Sequence, residues 1–166
     1  RFGLFLFTVR NGHPDNWKNK TGKLYAEKLL IAAEGQVTPL HFHWIKMEDI
    51  INRGGADLAI QLYRSTPDES LDTSSPVTVK TDGVQRTVPA GGMLILKPGE
   101  SITLEPYVYH SFWGEGGKVL IGEVSLVNDD HADNRFYQVG GRFPDIEEDV
   151  PPMYLLCNDY AQYYRV

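Results

Sequence analysis

The sequence predicts an all-β fold, an antiparallel sandwich or barrel. Short runs rich in β-branched and aromatic residues recur at regular spacing, with turn-forming residues between them. No segment carries a convincing helical period.

Residues 2–9 and 24–33 are mainly apolar runs. The polar stretch between them carries turn signals at Asn11-Gly12, Pro14-Asp15 and Thr21-Gly22. Glu34-Gly35 then turns the chain into a segment holding His41 and His43. Asn52-Arg53-Gly54-Gly55 is expected to break that segment, and residues 57–63 read as the next strand. A polar loop with Pro67 follows over residues 65–75. Residues 77–80 and 84–88 flank Thr81-Asp82-Gly83, and Asp-Gly supplies the positive φ angles that a tight hairpin turn requires. Residues 93–96 and 102–104 surround a second turn, Lys97-Pro98-Gly99-Glu100. The strand around His110 is expected to end at Glu115-Gly116-Gly117, with another over residues 118–127. Beyond it, residues 128–134 form an acidic loop and residues 144–152 an acidic, proline-rich segment. Residues 159–164 read as a short helix or a packing arm. No repeat or linker divides the chain, so its 166 residues are expected to form one domain.

Composition narrows the function classes. Hydrophobic residues make up 42% and charged residues 23%, ordinary for a globular chain. A net charge of −6 argues against nucleic acid and against an anionic membrane as partners. No apolar run has the length to cross a bilayer, and no signal-peptide pattern opens the chain. It begins Arg1-Phe2-Gly3 without a methionine and is already strand-like, so a further N-terminal segment is expected in the natural protein. Cys157 is the only cysteine, which precludes an intrachain disulfide and fits a cytoplasmic location. Its apolar neighbours favour a buried structural thiol over a nucleophile.

The chemistry concentrates in Gly35-Gln-Val-Thr-Pro-Leu-His41-Phe-His43, with Glu48 five residues on and Gly55 closing the segment. In an extended chain the period of two places both imidazoles on one face, and Pro39 argues against a helix through the pair. Imidazole with carboxylate suits a divalent ion such as manganese, iron, zinc or nickel. His110 supplies a third imidazole from Pro106-Tyr-Val-Tyr-His110-Ser-Phe-Trp113. A lone buried histidine is commonly a hydrogen-bonded core residue; a His-x-His pair with a downstream glutamate is harder to explain by packing, because each buried polar group needs a partner. His13 and His131 lie in polar stretches and read as ordinary loop residues.

These residues resemble the cupin superfamily. Gly35, His41, His43, Glu48 and Gly55 fit its first motif in full. Gly99 and His110 keep the separation of the second; Pro106 is displaced by one position, and Gly114 stands where an asparagine is usual. A closer resemblance, through residues 41–55, 109–113 and 122–130, is to the bacterial D-lyxose isomerases. It implies a cupin-type β-barrel, or jelly roll, and a metal-dependent, usually manganese-dependent, enzyme. Such an enzyme interconverts D-lyxose with D-xylulose and D-mannose with D-fructose, and is commonly a homodimer. By motif, the resemblance assigns the metal to His41, His43, Glu48 and His110.

Aldose–ketose isomerisation moves a hydrogen between C1 and C2, by proton transfer through an enediol or by hydride shift, and either route gains from a divalent ion at the oxygens. It also needs acid–base partners. Lys46 reads by itself as a solvated surface residue. The resemblance, in which a lysine occupies this place, implies a catalytic role, and a bend between His43 and Glu48 can aim it at the pocket. For the carboxylate base, Glu147 in the late acidic segment comes first and Glu123, which interrupts an apolar strand, second. Glu123, Arg142, Tyr109 and Trp113 are candidates for contact with the sugar. Scattered arginines and lysines favour a small neutral sugar over a sugar phosphate. The alternatives are an iron-dependent cupin dioxygenase, a cupin phosphosugar isomerase and a sugar-binding cupin without turnover.

Overall fold

The computed structural model describes residues 2–138 and 149–155. It contains β1 (Phe5–Arg10), α1 (Pro14–Asn19), β2 (Tyr25–Ala32), β3 (His41–Phe42), β4 (Glu48–Ser65), β5 (Leu71–Asp72) and β6 (Val77–Thr81). β7 (Val84–Val88), β8 (Met93–Leu96), β9 (Ser101–Leu104), β10 (Val108–Leu126) and β11 (Arg135–Phe136) follow. All eleven strands join one sheet, whose main path runs β1-β2-β10-β4-β9-β6-β7. Every pairing between these strands is antiparallel, as the sequence pattern predicts. The Asp-Gly signal forms the β6–β7 turn, with φ of 49° at Asp82 and 80° at Gly83. Among the described residues, no helix is long and apolar enough to cross a membrane.

Two expectations are corrected. The polar stretch after β1 contains a helix, α1, capped by the His13 side chain, which accepts from Asp15 N, and opened by Pro14. Six residues are too few to display a helical period. The predicted breaks at Gly54-Gly55 and Gly116-Gly117 lie inside continuous strands. β4 and β10 keep one another as partners from Arg64↔Val108 to Glu48↔Ser125, with register shifts near these glycines. The glycines therefore make bulges, which bend a strand without ending it. At Gly55, φ is +101° and a Cβ would stand 2.3 Å from the Lys118 carbonyl oxygen.

The bend folds the β4/β10 hairpin upon itself. In straight strands, Glu48 and the level of Leu62 would lie roughly 46 Å apart at about 3.3 Å per residue. Yet Glu48 meets His110, the register partner of Leu62, at 3.0 Å. Leu30, Ile50, Ile102 and Ile121 from one half of the sheet thereby share a core with Leu58, Ile60, Leu62 and Phe112 from the other. Each side chain of this size contributes about 1.5–3 kcal/mol when buried. The site occupies the space between the two halves.

Candidate metal centre and active site

Strand alternation aims the imidazoles. His41 and His43 flank the fully buried Phe42, which packs edge-on against Tyr109 on the far face, at 4.7 Å between centroids. His110 arrives from β10 as the direct cross-strand partner of His41, with ring centroids 4.2 Å apart. Each ring engages a backbone carbonyl through Nδ1: His41 with Pro39 at 2.8 Å, His43 with Asp133 at 2.5 Å, His110 with Val108 at 3.0 Å. That arrangement frees the three Nε2 atoms. Those of His43 and His110 are buried without a hydrogen-bond partner among the described residues, and Glu48 Oε1 approaches them at 3.5 and 3.0 Å without hydrogen-bond alignment. One ligand atom from each of His41, His43, Glu48 and His110 lies within 4.8 Å of the others. Burial holds the His41 and His43 rings below their ordinary pKa, which favours the neutral, ligating form.

Beside this cluster lies a second group of buried charges. Lys46 Nζ donates to Glu48 Oε2 at 2.7 Å and to Glu123 Oε1 at 2.9 Å. Lys28, directly opposite Glu123 in the β2–β10 register, reaches the same Oε1 at 3.0 Å. Asn128 Oδ1 accepts from Lys28 at 2.5 Å and from Lys46 at 3.4 Å. Burial opposes the charge on Lys46, but Glu123 and Glu48 outweigh it and raise its pKa. Burial likewise opposes ionisation of Glu48, which Lys46 and His43 reverse, and of Glu123, which Lys28 and Lys46 reverse; both carboxyls are held below their ordinary range.

The bend that carries Lys46 is tied down from a distance. Asp133 Oδ1 accepts from the backbone N–H of Trp44 at 2.8 Å and of Ile45 at 2.9 Å. Its Oδ2 accepts from Lys46 N at 2.9 Å, while its carbonyl takes His43 Nδ1. One residue of the acidic loop therefore orients both a histidine and the lysine.

A cavity of about 760 Å³ opens onto these groups, walled by Lys28, His41, His43, Lys46, Glu48 and Glu123. Leu30, Ile50, Phe112 and Phe136 add apolar surface. The space suits a small molecule. Tyr109 and Trp113, expected as flat surfaces for a sugar, do not line it. Tyr109 is fully buried and donates to the Glu69 carbonyl, and Trp113 Nε1 donates to Glu115. Arg142, Glu147 and Cys157 lie outside the described residues. The sequence reading missed Lys28, Asn128 and Asp133. Lys28 had a legible signal: Ala26, Lys28, Leu30 and Ala32 form the inward set of β2 by period two.

Comparison with known proteins gives this arrangement a lineage. A sequence model of the D-lyxose isomerase family matches residues 1–160. A D-lyxose/D-mannose isomerase from Serratia proteamaculans is 53% identical over 165 residues, covering 98% of this chain and 71% of its own length. One from Escherichia coli O157:H7 is 49% identical over 163 residues, covering 97% and 70%. Among solved structures, L-ribose isomerase from Acinetobacter sp. DL28 superposes with a TM-score of 0.57 at 15% identity, over 85% of this chain and 72% of that one. A cupin 2 domain-containing protein from Halorhodospira halophila does so at 0.50 and 13%, over 80% and 70%. At such identities the structural likeness speaks for the fold, which is that of the cupins. With its length matched by the family pattern and half its residues shared with family members, the chain belongs to the D-lyxose isomerases, sugar isomerases built on a cupin fold.

Proposed function

We propose that this aldose–ketose isomerase interconverts D-lyxose with D-xylulose and D-mannose with D-fructose, using a divalent ion, manganese by preference, held by His41, His43, Glu48 and His110. The observation that carries the reading is the convergence of the four ligand atoms, two of them buried imidazole nitrogens with no hydrogen bond. Such nitrogens are costly to bury unless something ligates them. Three imidazoles and a carboxylate suit manganese among other divalent ions. When bound, the ion supplies Lewis-acid stabilisation of negative charge on the sugar oxygens.

The chain's own residues support proton transfer. Both ammonium contacts of Glu123 fall on Oε1, and among the described residues nothing hydrogen-bonds Oε2. Glu123 lines the cavity, so Oε2 is available to remove the proton from C2 of the open-chain aldose. The carboxylate becomes a carboxylic acid, exchanges its proton with solvent through the open cavity, and returns a proton to C1. The hydroxyl proton passes from O2 to O1 of the enediolate, which completes the ketose. Lys46, kept cationic by its two carboxylates, stabilises the negative charge without changing its own protonation. Glu123, the second choice for the base, is the one proposed for it; Glu147 lies outside the described residues. Lys28 and Lys46 are both engaged by Glu123, which favours a neutral sugar over a phosphorylated one.

The expected homodimer finds support in an apolar outer face on β1, β2 and β10, where Phe5 and Phe7 are 60% and 57% exposed beside Leu29 and Leu120. Sedimentation of the protein in solution tests that association. The activity is tested by turnover of D-lyxose in deuterated water, with chelator-stripped protein before and after manganese is added. Metal-restored D-xylulose carrying carbon-bound deuterium is expected. Turnover without deuterium would replace the proton route by a hydride shift, and no turnover with any divalent ion would overturn the substrate.

A further inference from the structure

We infer that Lys28 is a positioning residue for proton transfer, holding Glu123 by Oε1 so that Oε2 is presented to the substrate carbon. The inference rests on the isomerase reading above. Its basis is geometric. Lys28 stands on the inward face of β2, level with Glu123 on β10, and its Nζ lies 3.0 Å from Oε1. The Lys28 side chain is 2% exposed and that of Glu123 6%. Neither residue is among the four proposed metal ligands, yet both line the cavity.

Lys46 reaches Oε1 from the bend before β4, so two ammoniums converge on one oxygen from different elements. Asn128, just beyond β10, accepts from both and fixes their spacing. A carboxylate held at one oxygen by two donors cannot rotate freely, and its second oxygen keeps a fixed direction. A buried ion pair of this kind is a poor source of stability compared with apolar packing. Its contribution here is orientation and charge.

Among the described residues, the charged groups facing Glu123 are Lys28 from β2, Lys46 from the bend and Glu48 from β4. Burial and Glu48 disfavour the ionised form of Glu123, whereas Lys28 and Lys46 favour it. During turnover Glu123 accepts the C2 proton and delivers a proton to C1, while Lys28 keeps its hold on Oε1. Loss of Lys28 should therefore move the ionisation of Glu123 upward and disturb the direction of Oε2.

The test compares wild type, Lys28→Met, Lys28→Gln and Lys28→Arg, all loaded with manganese and checked for metal content. For Lys28→Met, kcat should fall by ~10–100-fold, as when an orienting partner is lost, with KM for D-lyxose little changed. The acid limb of its kcat profile should move up by about one pH unit or more. Lys28→Arg should restore most of the turnover and return the acid limb. Should the methionine variant fail to fold, Lys28→Gln removes the charge while keeping a donor and is read the same way. Carboxylate NMR of the metal-free proteins should show the Glu123 titration moving with the acid limb. An active wild type whose variants leave kcat, acid limb and carboxylate titration unmoved overturns the role of Lys28 alone. A rise in KM with an unmoved acid limb makes Lys28 a sugar ligand instead. A manganese-loaded wild type that isomerises no aldose overturns the isomerase reading, and this role with it.

Discussion

Glu48 Oε1 stands 3.0 Å from His110 Nε2, although the register pairs Glu48 with Ser125 and His110 with Leu62, near opposite ends of the two longest strands. The glycine bulges bring the pair together. Gly55→Ala would place a Cβ 2.3 Å from the Lys118 carbonyl oxygen at a φ of +101°. Destabilisation of roughly 3 kcal/mol is expected from the combined overpacking and backbone strain. Urea unfolding reads the stability, and weaker manganese uptake by the folded fraction checks the link from the bend to the site.

His41 and Lys46 should separate cleanly when substituted. His41→Ala should lower metal content sharply and leave the β signal in circular dichroism largely intact. Lys46→Met should retain the metal but lose ~100–1,000-fold in kcat, as when a preorganised charge stabiliser is removed. Metal analysis beside steady-state kinetics checks both. Wild-type metal content in His41→Ala would remove it from the ligand set, and undiminished turnover in Lys46→Met would remove that lysine from the reaction.

Asp133→Ala removes three hydrogen bonds from the backbone of residues 44–46. Bonds to a charged acceptor contribute about 1.5–3 kcal/mol each, and water reaching the loop recovers part of that. A net loss of about 2–4 kcal/mol is expected on this basis. Weaker manganese binding should accompany it, because the same loop orients His43. Calorimetric unfolding and metal titration give the two numbers.

Glu123 makes stability depend on acid in a definite direction. Its folded pKa lies below the ordinary 4.5, so the stability it contributes is present above that value and is lost as pH falls through the folded pKa. Glu123→Gln should lower the stability of the metal-free protein by about 3–5 kcal/mol near neutrality, since it leaves buried ammoniums uncompensated. The gap between variant and wild type should close progressively below pH 4.5, where wild-type Glu123 also becomes neutral. Urea midpoints measured from pH 7 to pH 3 check the trend; a gap of constant size would contradict it.

Much of the site was legible because local spacing carries it. His41 and His43 share a face by strand period, and Glu48 begins the next strand. His110 joins them only through a cross-strand register that no local pattern encodes. His110 was named through its resemblance to the second cupin motif, whereas Asp133 was hidden: an acidic loop looks solvated until its partners, some 90 residues away, are known. Lys28 was overlooked because a mainly apolar run masks a single polar residue, although the alternation of β2 points it inward. Gly54-Gly55 and Gly116-Gly117 were read as strand ends because the sequence around a bulge is also that of a turn. Only the unchanged partnership of β4 and β10 on both sides distinguishes the two.

The lysine between two carboxylates also bears on when the ion arrives. Among the described residues, Lys28 and Lys46 balance Glu48 and Glu123, so these four side chains carry no net charge before any metal binds. Metal loading is then an event separate from folding, unlike the small domains that collapse only around their ion. A chelated chain should keep its shape and take the ion up again from solution. Once a divalent ion joins them, these four side chains and the ion together carry two positive charges, a standing bias toward any intermediate that becomes an anion.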